Sequence, residues 1–537
     1  MCRFGAATLY ALGLYPASRQ QGSGLPGHRS LHRRVRLQLG GGMVRGWHLS
    51  CPTMIRSSRV VPLFSAASPA LSLGRTLRAR VVPPPLSRSR STACEPLLAR
   101  DDIMLDSAAS MPKSRVLSEM ARHIADGAED PFYVVDMDAV RARVDKWFDL
   151  LPSVEPFYAV KCQPDVELIR TLARAGVNFD CASRPEMELV LSQGVQPSRI
   201  IYANPCKQPS HLRFAAAAGV TMSTFDSEAE LIKTAACAGT AHQLVIRIKV
   251  DDSQAQCVMS DKYGAPMSEV PFLLRRAAEL GLHVRGVSFH VGSGCYSAQS
   301  YVMAVNRAAH VFNLAADMGQ PMNLLDIGGG FPGTDTAEVS FGQIAAALRP
   351  ALASAFPASR GVRIIAEPGR YMAAAAYTLA VNVIGKKEVA DPAAIGGVRT
   401  MYYVNDGVYG SFNCVLYDHH VVKDVDVAPT AYAYGHSFSD ADAPFGPRRP
   451  ASIWGPTCDG LDCVMPDAAL PDVAVGQWLY FPDMGAYTSA AGSNFNGMAL
   501  PSKLYTSSME PPCPVYEVQH ESVHVEPNVA QCLEMRA

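Results

Sequence analysis

The stretch PFYAVKCQPDVELIRTLARAGVNFDCA, residues 156–182, holds one repeat of the architecture and the start of the next. Phe157 to Cys162 is a short apolar run that reads as a strand buried on both faces. Pro164 to Ala175 places apolar residues at helical spacing, and Asn178 to Ala182 is a second strand. Further strand-like runs follow at Arg199 to Asn204, Thr221 to Asp226, Gln243 to Val250, Val284 to Gly292, Leu324 to Gly328 and Val362 to Glu367, with helix-spaced stretches such as Glu186 to Gln193 between them. The first five ends, at Lys161, Ala182, Asn204, Asp226 and Lys249, fall 21, 22, 22 and 23 residues apart. One strand, one helix and two loops fill such an interval. Eight strands alternating with helices predict an α/β fold of the (β/α)8 TIM-barrel type, although a doubly wound open sheet has the same local pattern.

Beyond Tyr371 the rhythm is lost. Thr378 to Ile384, Thr400 to Asn405, Ser452 to Trp454 and Gln477 to Phe481 are extended runs separated by Gly, Pro and Asp turns, which predicts a C-terminal β-sheet domain over 376–505 after a barrel over 137–375. Residues 111–136, with Phe132 to Val135, read as an N-terminal segment of that same β domain. From Met1 to Cys94 there is no Asp or Glu while Arg, Ser, Gly and Pro recur, so residues 1–110 read as a disordered or targeting-like extension, with Met104 or Met111 as alternative starts. From about Tyr505, with Glu510-Pro511-Pro512, the tail (506–537) is expected to be disordered.

A chain of 537 residues with 48% hydrophobic content can bury a barrel-sized core and more. Its net charge of -1 gives no global attraction to nucleic acid or an anionic membrane, and no run of apolar residues is long enough to span a bilayer. The 14 cysteines are scattered without Cys-x-x-Cys pairs, so a reducing compartment, the cytoplasm, is expected; the leader's composition also suits organelle import.

In such a barrel the reactive groups gather at the C-terminal strand ends. Those ends present Lys161, Asp180, Arg247, His290, the run Gly328-Gly329-Gly330, and Glu367 with Gly369 and Arg370. A lysine closing an apolar strand sits in a desolvated mouth, which is expected to lower its pKa and free its amine; the ordinary alternative is a lysine reaching solvent from a strand end. The glycine run offers backbone N–H groups to a phosphate, or is simply a tight turn. Reactive lysine, phosphate cradle and strand-end acid together meet the needs of pyridoxal phosphate.

Six runs carry a specific resemblance: Pro156 to Cys162, Phe179-Asp180-Cys181-Ala182-Ser183, Ser288 to Cys295, Ile365 to Tyr371, Tyr417-Asp418-His419, and Trp454 to Asp462. Across roughly residues 115–505 the sequence resembles the eukaryotic ornithine decarboxylase family, within the fold-type III pyridoxal phosphate enzymes. The resemblance implies pyridoxal 5'-phosphate bound covalently by Lys161, with Glu367 on the pyridine nitrogen, His290 on the ring face, and Asp180, Glu186 and Arg247 in support. It implies phosphate held by Ser293, Gly330, Arg370 and Tyr487, with Gly328, Gly329 and Gly369 also binding the cofactor. Cys458 would return a proton to Cα, and Asp418 and Asp459 would bind the distal ammonium of L-ornithine. An acid at 367 suits carbanion chemistry; a racemase of this fold would carry arginine there.

The same resemblance implies a homodimer with shared sites, Cys458 and Asp459 reaching the other subunit, and a cross-dimer pairing of Lys262 with an acid such as Asp462. It also implies antizyme as a further partner, through Gln208 to Lys233, and a degradation role for the tail around Cys532. Rival readings are an inactive antizyme-inhibitor-like regulator, and an arginine or lysine decarboxylase of the same fold. No metal is expected: His419-His420 lacks further ligands and reads as an exposed pair.

Overall fold

The computed structural model describes residues 114–429 and 446–508. The leader, the Met104 and Met111 starts, and the tail beyond Ser508 with Cys532 lie outside the described residues. Eight parallel strands close into a barrel in strict sequence order: Val154–Ala159, Asn178–Cys181, Ile200–Tyr202, Met222–Phe225, Gln243–Arg247, His283–Ser288, Leu324–Asp326 and Arg363–Ala366. The last pairs with the first, Ile364 opposite Val154, which removes the open-sheet alternative.

Two apolar layers explain why these runs fold this way. Phe157, Ile201, Met222, Val245, Leu324 and Ile365 plug the barrel interior. Their strand neighbours face outward into the larger core beneath the helices. Each such side chain stabilises the fold by about 1.5–3 kcal/mol on burial, so the six plug residues alone supply a substantial part of barrel closure. Helix starts are set locally: Asp165 accepts from the Leu168 N–H at 3.0 Å, and Ser340 with Gln343 forms a reciprocal capping box.

The strands stop earlier than the apolar runs suggest. The first ends at Ala159 and Val160–Cys162 is a 3-10 turn; the sixth, seventh and eighth end at Ser288, Asp326 and Ala366. Lys161, His290, Gly328 and Glu367 therefore stand one or two residues beyond the ladder, on short loops whose backbone is free to aim them.

Over the barrel mouth lies an antiparallel ribbon, Ala255–Cys257 with Ser293–Cys295. A separate eight-stranded sheet is built on Tyr377–Ala390, which pairs with Phe132–Asp136, Val398–Val404 and Trp478–Phe481. Arg449–Trp454 and Cys463–Leu470 extend one edge of it. Disorder from Tyr505 is not what the described residues show. Ser502–Thr506 lies parallel to Phe132–Asp136, and Asp138 accepts hydrogen bonds from Ser507 and Ser508. A polar segment is held there by a strand far away in sequence.

Candidate active site

The mouth of the barrel gathers the charged groups. Lys161 Nζ lies 2.5 Å from Asp180 Oδ2. About a third of the lysine side chain is accessible, 37%, because it faces the open mouth, whereas Asp180 is wholly buried. Desolvation pulls the Lys161 pKa down, but Asp180, Glu367 and Tyr487 outweigh it and hold the pKa above its ordinary value. The expected free amine is thus corrected: the lysine is held charged, because acids from the second and eighth strands surround it. Burial pushes the Asp180 carboxyl up, against the pull of Lys161 and Arg247.

Burial drives the His290 pKa far down, helped by Arg247 and Lys161, so its imidazole is neutral. Its Nδ1 accepts from the Gly292 N–H at 3.0 Å, which leaves the ring proton on Nε2. Arg247 closes the fifth strand with its guanidinium 5.2 Å from the Tyr263 ring centre. Glu186 accepts from the Ala182 N–H at 2.6 Å and bolts down the loop after Asp180.

The glycine run is required by close packing. A Cβ on Gly328 would lie 2.1 Å from the Phe289 carbonyl oxygen; on Gly329, 2.7 Å from that of Glu367 and 2.9 Å from His290 Nε2; on Gly330, 2.5 Å from that of Gly292. The Gly328 N–H is taken by Asp326 Oδ1. Among the described residues the Gly329 and Gly330 N–H groups have no protein acceptor, so they are the ones open to an anion. Gly329→Ala is expected to shift His290 or the Glu367 loop and to weaken cofactor binding at least about tenfold, measured by equilibrium dialysis; unchanged affinity would show that the wedge is dispensable.

Arg370 is mostly buried, donates to Ser293 Oγ at 3.0 Å and to Asp418 Oδ1 at 2.7 Å, and lies 5.1 Å from the Tyr487 ring centre. Asp418 thus sits on the arginine expected to hold phosphate, with its other oxygen buried and unpartnered. Tyr487, in the left-handed region at φ 56°, is anchored through its N–H to the Cys162 carbonyl at 3.0 Å. A Cβ on Gly369 would meet Cys162 Cβ at 3.1 Å and the Tyr487 hydroxyl at 3.4 Å.

The structure does not join Cys458 and Asp459 to this cluster. They lie on the loop between Arg449–Trp454 and Cys463–Leu470. Cys458 is exposed, its N–H 3.4 Å from Asn496 Oδ1. Asp459 accepts from the Tyr409 hydroxyl, and Tyr409 stacks on Phe495. Within its own chain Asp462 is buried, and its oxygens accept from Val408 N–H, Thr457 N–H and the Thr457 hydroxyl. Lys262 lies 4.9 Å from the Tyr263 ring centre. The histidine pair is also corrected: His419 is exposed, but His420 is partly buried and lines a cavity of about 110 Å³ together with Arg370, Cys295 and Cys414.

Two polar groups escaped the sequence reading. Asp326 reads as the end of an apolar strand, yet it is buried against Glu367; its place just before the glycine run was the available signal. Tyr409 carried no signal, because only folding sets it beside Asp459.

Pyridoxal phosphate fits the residues present. Asp180 Oδ1, Glu367 Oε1 and Arg370 Nε are buried polar atoms without protein partners, and such atoms call for a ligand or a proton. An acid for a ring nitrogen, a lysine for an aldehyde and an arginine for a phosphate converge on one mouth.

Residues 137–374 match the family described as "Pyridoxal-dependent decarboxylase, pyridoxal binding domain". Ornithine decarboxylase of Rattus norvegicus is 49% identical over 387 residues, 71% of this chain and 81% of its own. Antizyme inhibitor 2 of Xenopus laevis is 48% identical over 373 residues, 68% of this chain and 79% of its own. Among solved structures, the arginine decarboxylase of Paramecium bursaria Chlorella virus superposes with a TM-score of 0.66 at 34% identity, covering 73% of this chain and all of that one.

Proposed function

This chain belongs to the ornithine decarboxylase family of pyridoxal phosphate-dependent decarboxylases, and from that premise we propose that it converts L-ornithine to putrescine and carbon dioxide. The observation that carries this reading is the convergence of Lys161, Glu367 and Arg370 on one barrel mouth, with Asp418 beside them.

When bound, the cofactor supplies a protonated, electron-withdrawing ring conjugated to the substrate Cα. Lys161 is the residue that would attach it, and Asp180 at 2.5 Å holds and orients its amine. Glu367 holds a proton at the pyridine nitrogen. His290 is neutral and fixed by Gly292, and would pack a flat face over the ring without adding charge. Arg370, Ser293 and the Gly329 and Gly330 N–H groups take the phosphate.

When the Cα–carboxylate bond breaks, its electron pair stays with Cα and the Cys458 thiol delivers the replacing proton. Asp418 and Asp459 take the distal ammonium, since a substrate with a cationic tail matches two acids and a diaminopimelate carboxylate does not. Cys458 and Asp459 act in the site of a second copy, making the enzyme a homodimer. The place of action is the cytoplasm and the role is the entry step to polyamines, with antizyme as a regulatory partner.

The inactive-regulator alternative predicts binding without turnover. Carbon dioxide release from ornithine, lysine and arginine, assayed side by side on the purified chain, tests both. Ornithine is expected to lead in kcat/KM by at least about tenfold; no release from any of the three would end the enzyme reading, and preference for arginine would move the substrate.

A further inference from the structure

Beneath the site lies an acid that the proposed chemistry does not use. Asp326 is wholly buried at the end of the seventh strand. Its Oδ1 accepts the Gly328 N–H at 2.9 Å, and the Gly328 carbonyl accepts the Glu367 N–H at 2.7 Å. Gly328 is thus a backbone bracket between the two acids, and it holds a φ of +64° to do so. The Asp326 and Glu367 carboxyls are close enough to interact, and Asp326 Oδ2 and Glu367 Oε1 are both buried without a hydrogen-bond partner, so a proton held between them would satisfy both.

The surroundings fix the proton count. Asp180, Asp326 and Glu367 interact as three acids, with Glu186 beside Asp180 as a fourth, opposed by Lys161 and Arg247; His290 is neutral. The carboxyls outnumber the two cations in this desolvated pocket, so negative charge is in excess. Like charges in contact cannot both persist there, so one proton stays. Burial lifts the Asp326 pKa to about 6, and burial with Asp326 and Asp180 beside it lifts that of Glu367 further.

We propose that Asp326 is the positioning residue for Glu367: through the Gly328 bracket, and through a proton shared between their two unpartnered carboxyl oxygens, it orients that side chain and shares with it the proton offered to the cofactor nitrogen. The role rests on the decarboxylase reading, since it gives the shared proton a destination. The proton leaves the carboxyl pair as the ring nitrogen gains it. Asp326 then keeps a negative charge behind Glu367 and favours the protonated nitrogen.

Asn at 326 retains the acceptor for Gly328 but not the charge or the proton, so it separates this role from a loop cap. In the cofactor-free wild-type chain, infrared spectra near neutral pH should show a protonated buried carboxyl whose band moves with 13C-labelled Asp and also with 13C-labelled Glu. That measurement needs no variant to fold. In Asp326→Asn the band should weaken. The loaded variant should lose on the order of 10- to 100-fold in kcat with KM for ornithine within about threefold, and 15N-labelled cofactor should lose its ring proton at lower pH.

A band that moves with neither label, or an Asp326→Asn protein with wild-type kcat and wild-type nitrogen titration, would overturn the proposal. Wild-type protein that takes up no cofactor would instead end the decarboxylase reading, and the cofactor-free carboxyl signal distinguishes the two failures.

Discussion

Lys161→Ala is expected to abolish the cofactor's visible absorbance band and to lower ornithine decarboxylation by at least about 10³-fold, because Lys161 supplies the amine for covalent attachment. The fold should survive. Lys161 lies on the Val160–Cys162 turn with about a third of its side chain open to the mouth, and its recorded ion pair is the one to Asp180. Removing one partner of a buried pair costs about 3–5 kcal/mol when the other stays charged. Asp180 escapes most of that by taking a proton, since burial already holds its carboxyl above the usual range.

Circular dichroism should therefore be unchanged, with a loss of about 1–3 kcal/mol in denaturant titration. In the wild type, cofactor uptake should quicken as pH rises, since the Lys161 amine is charged below its elevated pKa and only the neutral form attacks a carbonyl. An absorbance band that persists in Lys161→Ala would remove the lysine from its assigned role.

The barrel was legible because its strands are buried on both faces, and burial writes itself into sequence as apolar runs at a steady interval. The loops beyond the strands were less legible. Glycine at 328 to 330 reads as a phosphate loop, but the sequence does not show the second reason for glycine there, that carbonyls of Phe289, Glu367 and Gly292 press on the three residues.

The charge of Lys161 was misread for a similar reason. Its own burial can be inferred from residues 157 to 160, but the acids that reverse the shift come from strands 2 and 8, joined to it only by closure. Asp462 shows the limit of an acid known from a motif alone. Nothing in Asp459-Gly460-Leu461-Asp462 says that the first faces Tyr409 while the last is walled in, so that a Cβ on Gly407 or Gly455 would strike its carboxylate.

Mixing Lys161→Ala and Cys458→Ala subunits should restore activity that neither has alone. Within one chain Cys458 has no contact with Lys161, Asp180 or Arg370 among the described residues, and its loop is bound to Tyr409 and Asn496. Its own loop carries a large exposed apolar side chain, Leu461 at 68% accessibility, of the kind that a second copy would cover. If each site takes its lysine from one subunit and its thiol from the other, a mixed dimer carries one intact site and one with both lesions.

Free exchange at equal amounts makes about half the dimers mixed, so about a quarter of wild-type activity should return, against a background reduced on the order of 10²-fold in Cys458→Ala alone. The substitution at Lys161 would empty one site of cofactor and leave the other loaded, so the absorbance of the mixture should track the Cys458→Ala subunit alone. Native mass spectrometry that proves exchange while activity stays at background would place Cys458 in the site of its own chain, and the exposed loop would then have to close over Lys161 without a partner.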